Sequence, residues 1–301
     1  MLSKYFDGIV VEQQTNRIFK LTVSASSIFE TFNLFSLVSL FTHITNDYGI
    51  FTYIDDNLAQ KYGRVLSNIR NVPYFVFYLF FQRAVKSENQ FNELKPLFEK
   101  YLSEEGLQVD FKWQGNKQQR VQYIFEQLDM NIPILDIGCG EFDFYKKVMK
   151  HGFKEQYYAV DKDEHIETLC RNVGKRYEEN NLSFYSSLDE FNSNEKLNIL
   201  LVEVIEHNCM DDAKALIRKA LEYNFNKLII STPNIEFNQY YHNMDNVFRH
   251  EDHVFELNIA EFRAMIDDCT ANGKKSYNIE YFDLGDCING IQPTQGCIIS
   301  G

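Results

Sequence analysis

Ile132-Pro133-Ile134-Leu135-Asp136-Ile137-Gly138-Cys139-Gly140-Glu141 joins an apolar strand to a glycine-bearing turn, and residues 142–150 behind it read as a helix. Glycines at a strand-to-helix turn let the backbone approach a bound molecule without a Cβ in the way. A Gly-x-Gly pair alone is weak evidence. It gains weight because a second strand, residues 156–160, ends in Asp161 about 20 residues on, where an acidic side chain can hydrogen-bond ribose hydroxyls. Strand, glycine turn, helix, strand and acid in that order predict a doubly wound α/β domain of the Rossmann-like kind.

Upstream of this stretch, residues 118–128 predict a helix with Val121, Ile124, Phe125 and Leu128 on one face. Downstream, the alternation continues with strands over 182–185 and 198–203, a helix over 211–223 and a strand over 226–231. A long insertion follows, then a helix over 259–270, a strand over 277–284 and a closing strand over 296–300. The expected result is a seven-stranded sheet with a late hairpin-like pair. The third glycine of a dinucleotide fingerprint is replaced by Asp143, so no pyrophosphate seat is expected. The turn Asp136-Ile137-Gly138-Cys139-Gly140 resembles the Asp/Glu-x-Gly-x-Gly turn of S-adenosylmethionine-dependent methyltransferases. The implied fold is a class I methyltransferase domain, with Asp136, Gly138, Gly140, Asp161 and Ser187 as cofactor-binding residues.

A second cluster follows the apolar run that ends the fourth of these strands: Val202-Glu203-Val204-Ile205-Glu206-His207, answered by Phe248-Arg249-His250-Glu251-Asp252-His253-Val254-Phe255-Glu256. A buried strand ending in two carboxylates and an imidazole brings oxygen and nitrogen ligands together at the sheet rim, where α/β enzymes place their sites. This reads as half of a metal site. The competing reading is that Glu203, Glu206 and His207 are solvated rim residues.

The 301 residues are 45% hydrophobic, enough for a substantial core, and the longest apolar run is far short of the roughly 20 residues of a membrane span. With no signal-peptide pattern at Met1, a soluble cytoplasmic protein without membrane partners is expected. Six cysteines without a Cys-x-x-Cys pair predict reduced, packed thiols, and Cys139 has no sequence-adjacent base to activate it. A formal charge of −13 argues against broad coating of nucleic acid and points to a substrate held locally, by one end. Residues 1–114 read as a separate, mostly helical module. Ile28, Phe32, Phe35, Val38 and Phe41 recur at helical spacing, and Asn71-Val72-Pro73 signals the start of another apolar helix. The aromatic stripe is expected to be core, and the polar pattern over 96–115 a linker into a domain spanning 115–301.

Taken in series, Glu203-Val204-Ile205-Glu206-His207, Ser231-Thr232-Pro233-Asn234-Ile235-Glu236-Phe237-Asn238 and Asp252-His253-Val254-Phe255-Glu256 with Glu261-Phe262 resemble the successive motifs of the HEN family of small-RNA 3′-terminal 2′-O-methyltransferases. Gln119-Arg120 and Pro293-Thr294-Gln295 fit the same series, which covers residues 115–300. The resemblance implies that Glu203, Glu206, His207 and His253 hold a divalent metal ion, with His207 or His253 as proton acceptor. Carboxylates suit Mg²⁺ and imidazoles shift preference toward Mn²⁺, Fe²⁺ or Co²⁺. It implies methyl transfer to the 2′-OH of an RNA 3′ end carrying a free 2′,3′-diol. Bacterial members work beside RNA end-repair proteins, and such a repair or small-RNA-pathway partner would be met through the N-terminal module, although that segment does not resemble the one serving the bacterial partnership. Two departures stand out. Phe142 occupies a position where the family has glycine, and Leu257-Asn258-Ile259 replaces Trp-Thr-Arg. The alternatives are a metal-dependent O-methyltransferase for small vicinal diols or catechols, and a non-catalytic RNA-repair scaffold.

Overall fold

The computed structural model describes residues 8–16, 18–44, 54–177, 181–241, 248–271 and 276–301. The chain divides into two compact units. The first comprises Met1–Gly115 with the short segments Tyr240–His242 and Cys287–Gly290, and the second holds the rest.

The first unit opens with an antiparallel hairpin, β1 (Ile9–Thr15) and β2 (Ile18–Val23), which the helical reading of this module did not include. Helices Ile28–Ile44, Asp56–Ser67, Tyr74–Arg83 and Glu88–Glu104 follow, and the two-residue strand β3 (Val109–Asp110) closes the segment. Phe77, Phe80 and Phe98 are fully buried at its centre, their rings tilted or edge-on to one another. The expected linker starts too early. Pro96 lies inside the helix Glu88–Glu104, which ends at the left-handed Gly106. The expected core stripe is also turned. Ile28, Phe32 and Phe35 are exposed, whereas Leu34, Leu37, Leu40 and Phe41 are buried. Glu30 is the only Asp, Glu, Lys or Arg in that helix, so its hydrophobic pattern could not select a face.

In the second unit, β4 (Ile134–Ile137), β5 (Tyr157–Val160), β6 (Leu182–Tyr185), β7 (Leu197–Val202) and β8 (Phe225–Pro233) run parallel. After β9 (Asn278–Leu284) the chain passes through the first unit, within which the short β10 (Cys287–Ile288) pairs with β3, and β11 (Thr294–Ser300) then inserts antiparallel between β8 and β9. The sheet order is β6-β5-β4-β7-β8-β11-β9, the seven strands and late antiparallel pair expected. Alternation along the strands builds a core on each face. Leu135, Ile137, Ile199, Leu201, Leu228 and Ile230 pack on one side with helices Met210–Glu222 and Ile259–Thr270. Ile134, Leu200, Ile229 and Ile298 pack on the other with helices Asn116–Gln127, Asp143–Lys150 and Glu164–Tyr177. With both faces covered, polar chemistry is confined to the strand ends.

Gly296 sits mid-strand in β11, where a Cβ would stand 2.3 Å from the Phe282 ring and 2.6 Å from the Ile230 carbonyl oxygen. Gly296→Ala should destabilise the unit by about 1–3 kcal/mol through overpacking, read as a lower urea midpoint.

Candidate active site

At the carboxyl end of β4 the chain turns through Gly138 and Gly140, both at positive φ. A Cβ on Gly138 would fall 2.4 Å from Val204 Cγ2, so glycine there lets the β4 and β7 ends meet. The Gly140 N–H donates to Asp161 Oδ2 at 3.0 Å, and a Cβ at Gly140 would meet no protein atom within 4 Å. Phe142 is also left-handed (φ 61, ψ 36), which explains a glycine preference at this position; its ring, fully buried in the core, offsets the backbone cost.

A cavity of about 850 Å³ opens at these strand ends, lined by Gly138, Gly140, Asp161, Ser187, Glu203 and His207 among others. Four of the five residues expected to hold S-adenosylmethionine line it. The fifth, Asp136, lies beneath the turn, 2% exposed, accepting the Tyr157 hydroxyl at 2.5 Å. Burial pushes its carboxyl up to about 7, with the charges of Asp161 and Asp143 adding to the rise and Tyr157 opposing it. Burial likewise raises the Cys139 thiol, which agrees with an inert packed cysteine. All six cysteines are free; Cys209 is exposed, Cys287 is partly buried and the other four are buried.

The end of β7 forms the other wall. Glu203 adopts φ 56, its N–H still bonded to the Ser231 carbonyl, and the chain leaves the sheet into a 3-10 turn, Ile205–His207. This turn drives Glu206 into the interior, fully buried, with Thr232 Oγ1 donating to Oε2 at 3.1 Å and Oε1 without a partner among the described residues. Burial and the neighbouring Glu203 charge push its carboxyl well above the usual range. The Val254 N–H donates to the Glu206 carbonyl at 2.8 Å, which brings the second histidine stretch alongside. Ligand atoms of Glu206, His207 and His253 consequently lie within 4.8 Å of one another. An orphaned buried carboxylate oxygen beside two imidazoles fits a divalent ion. Glu203, expected as the fourth ligand, stands outside this group: Arg120 Nη1 lies 3.0 Å from its Oε2 and Ser231 Oγ donates to its Oε1 at 3.0 Å.

The Hen1 N-terminal domain family matches residues 1–103. A chain in the structure of the Pnkp1/Rnl/Hen1 RNA repair complex is 42% identical, covering 100% of this chain and 69% of that one, with a TM-score of 0.88. The chain belongs to the Hen1 family. A small RNA 2′-O-methyltransferase from Gallus gallus is 31% identical over 102 residues, 33% of this chain and 26% of that protein, so the chain spans about a quarter of this curated relative. The methyltransferase domain of bacterial-CtHen1-C shares the fold at a TM-score of 0.51 and 24% identity, covering 61% of this chain and 97% of that one.

These matches correct the reading of the N-terminal module. Residues 1–103 are a Hen1 N-terminal domain, and the 42% relative from a repair complex is similar along the whole chain, whereas the sequence reading found neither. Packed aromatics without polar motifs left nothing to recognise. Within the Hen1 motifs, the structure also assigns partners the sequence did not. Ser231 and Thr232 each bond one carboxylate, Arg120 balances Glu203, and Glu261 forms the capping box with Asn258 that starts helix Ile259–Thr270. The replacement of Trp-Thr-Arg thus supplies a helix cap. His250 is exposed and outside the three-residue cluster, its ring edge-on to His253.

The Asp136 carboxyl, at about 7 in the fold against 3.8 ordinarily, keeps its proton over a window in which the unfolded chain has lost it. Its stabilising contribution is therefore full below about pH 4 and lost as pH rises through about 7. Asp136→Asn should flatten the decline of Tm between pH 5 and pH 8, as measured by scanning calorimetry.

Proposed function

We propose that the chain transfers a methyl group from S-adenosylmethionine to the 2′ hydroxyl of the 3′-terminal ribose of RNA, with a divalent ion held by Glu206, His207 and His253 and Glu203 nearby. The observation that carries this reading is the buried Glu206 carboxylate, half-satisfied and grouped with two imidazoles, next to a cavity that also receives Gly140, Asp161 and Ser187. An uncompensated buried carboxylate costs the fold several kcal/mol, an expense that a bound cation offsets. When bound, the ion supplies Lewis acidity to vicinal hydroxyls and lowers the pKa of the one that reacts. Two histidines in the set favour manganese, iron or cobalt over magnesium.

The chain's own residues divide the remaining work. Gly140 leaves open space beside Asp161, whose oxygens each accept one backbone N–H and keep a lone pair for a ribose hydroxyl, and Ser187, following the adjacent strand β6, lines the same cavity. Arg120 and Ser231 hold Glu203 after β7, on the other side of β4 from β5 and β6, where the terminal sugar would sit. A single end-held sugar suits a chain with a net charge of −13. Methylation should require the free 2′,3′-diol. Activity should vanish with chelator, return with manganese or cobalt, and be absent on RNAs ending in 2′-deoxy or 3′-phosphate; methylation of a 3′-phosphate RNA by the chelated protein would refute the reading.

The relative in the Pnkp1/Rnl/Hen1 complex motivates a partner proposal for the first unit. Ile28, Phe29, Phe32 and Phe35 form a largely exposed apolar face, Phe29 at 64% and Phe32 at 68%. Single exposed apolar residues are ordinary, but a contiguous aromatic face marks an interaction surface. We assign it to a Pnkp1- or Rnl-type protein. The double variant Phe29→Asp, Phe32→Asp should abolish co-elution with such a partner in gel filtration while leaving S-adenosylmethionine affinity unchanged.

A further inference from the structure

Glu256 lies three residues beyond His253, and no role falls to it in the ligand set. Its side chain is 0% exposed, and three donors converge on it. His253 Nδ1 lies 2.5 Å from Oε1, the Arg249 N–H donates to the same oxygen at 2.7 Å, and Asn238 Nδ2 donates to Oε2 at 2.5 Å. A carboxylate only accepts, so the imidazole nitrogen facing it carries a proton, and in the neutral ring that ligates a metal the nitrogen left to bind is Nε2. Both oxygens of Glu256 are thus engaged by donors from the protein, and the residue is absent from the Glu206, His207 and His253 group.

The donors come from different parts of the fold. Asn238 sits in the 3-10 segment Ile235–Tyr240 after β8, whereas Arg249 and His253 belong to the stretch tied to Glu206 through the Val254 N–H. Rotation of the His253 ring would break its bond to a carboxylate that is itself clamped from two sides. The other histidine is held differently: Asp252 lies 3.2 Å from His207 Nδ1 but is 71% exposed. Water competes for that contact and does not reach the other. One imidazole of the pair is thus rigidly oriented and the other is adjustable.

We infer that Glu256 is the positioning residue of the metal site: it fixes the tautomer and the plane of His253 so that Nε2 is presented to the ion. The inference rests on the metal reading given under Proposed function. A buried carboxylate behind a ligating histidine commonly accounts for about 10–100-fold in metal affinity. A purely structural role for the same three hydrogen bonds would lower stability and leave the metal's nitrogen ligation intact.

Three variants of the full chain separate the two roles, with Mn²⁺ binding read by the loss of the free-ion electron paramagnetic resonance signal and histidine ligation by nitrogen couplings in pulsed spectra. Glu256→Ala should bind Mn²⁺ about 10–100-fold more weakly and lose one histidine coupling, with S-adenosylmethionine affinity unchanged. Glu256→Asp keeps the charge but shortens the reach, and it should lose the same coupling. Glu256→Gln can still accept from His253 and Arg249 with its amide oxygen while the Asn238 amide flips to face its NH₂, so it should retain both couplings and bind Mn²⁺ more tightly than the Asp variant. If the Ala variant does not fold, the comparison of Asp with Gln decides. Wild-type affinity and both couplings in the Ala or Asp variant would overturn the inference. A wild-type chain that binds no Mn²⁺ would overturn the metal reading and this inference together, whereas a chain that binds Mn²⁺ but methylates no RNA would remove the substrate reading and leave this one standing.

Discussion

A carboxylate pushed out of water at the end of a parallel strand is the constraint around which the second unit is arranged. Glu206 is fully buried because β7 ends in a left-handed residue and a 3-10 turn that folds the chain inward. Desolvating a carboxylate is among the costliest acts in a fold, and the surroundings meet only part of the cost. Thr232 donates to one oxygen, the backbone of Val254 ties down the same residue, and the second oxygen stays orphaned.

The two glutamates at this strand end are treated in opposite ways. Glu203 is compensated, with Arg120 against one oxygen and Ser231 on the other. Glu206 has no cation in hydrogen-bonding contact among the described residues and is grouped with two histidines. Their hydroxyl partners, Ser231 and Thr232, are consecutive on β8, which runs parallel beside β7 in continuous register from Asn198 opposite Lys227 to Val202 opposite Ser231. One pair of neighbouring strands thereby sets both carboxylates, and a shift of either strand by one residue would exchange or lose the partners.

The first unit follows another logic. Among its described residues the interior is an aromatic cluster with few buried polar groups, and the helix Ile28–Ile44 places apolar side chains both inside and outside. An outward aromatic face on a unit whose core is already filled by Phe77, Phe80 and Phe98 is surplus to folding. That surplus suits association rather than catalysis.

Periodicity and turn chemistry in the sequence alone determined the doubly wound domain, because strands buried on both faces must be continuous apolar runs and glycines must stand where β4 turns. They also located Asp161, Glu206 and His207 at strand ends, whereas His253 was singled out by the resemblance of its stretch to a family motif. Four things were decided only in three dimensions. The outward face of Ile28–Ile44 was illegible because the helix is apolar nearly all round, and the hairpin β1–β2 because its strands are mostly exposed and lack a clean alternation. The separation of Glu203 from the metal-type cluster depended on Arg120, 83 positions away in sequence, arriving within 3.0 Å. The seating of His253 on Glu256 depended on Asn238 and Arg249 meeting at one buried carboxylate. Local sequence records which groups are present and which element carries them; which charge meets which is set by long-range packing, because the energy of a buried charge depends on every partner that reaches it.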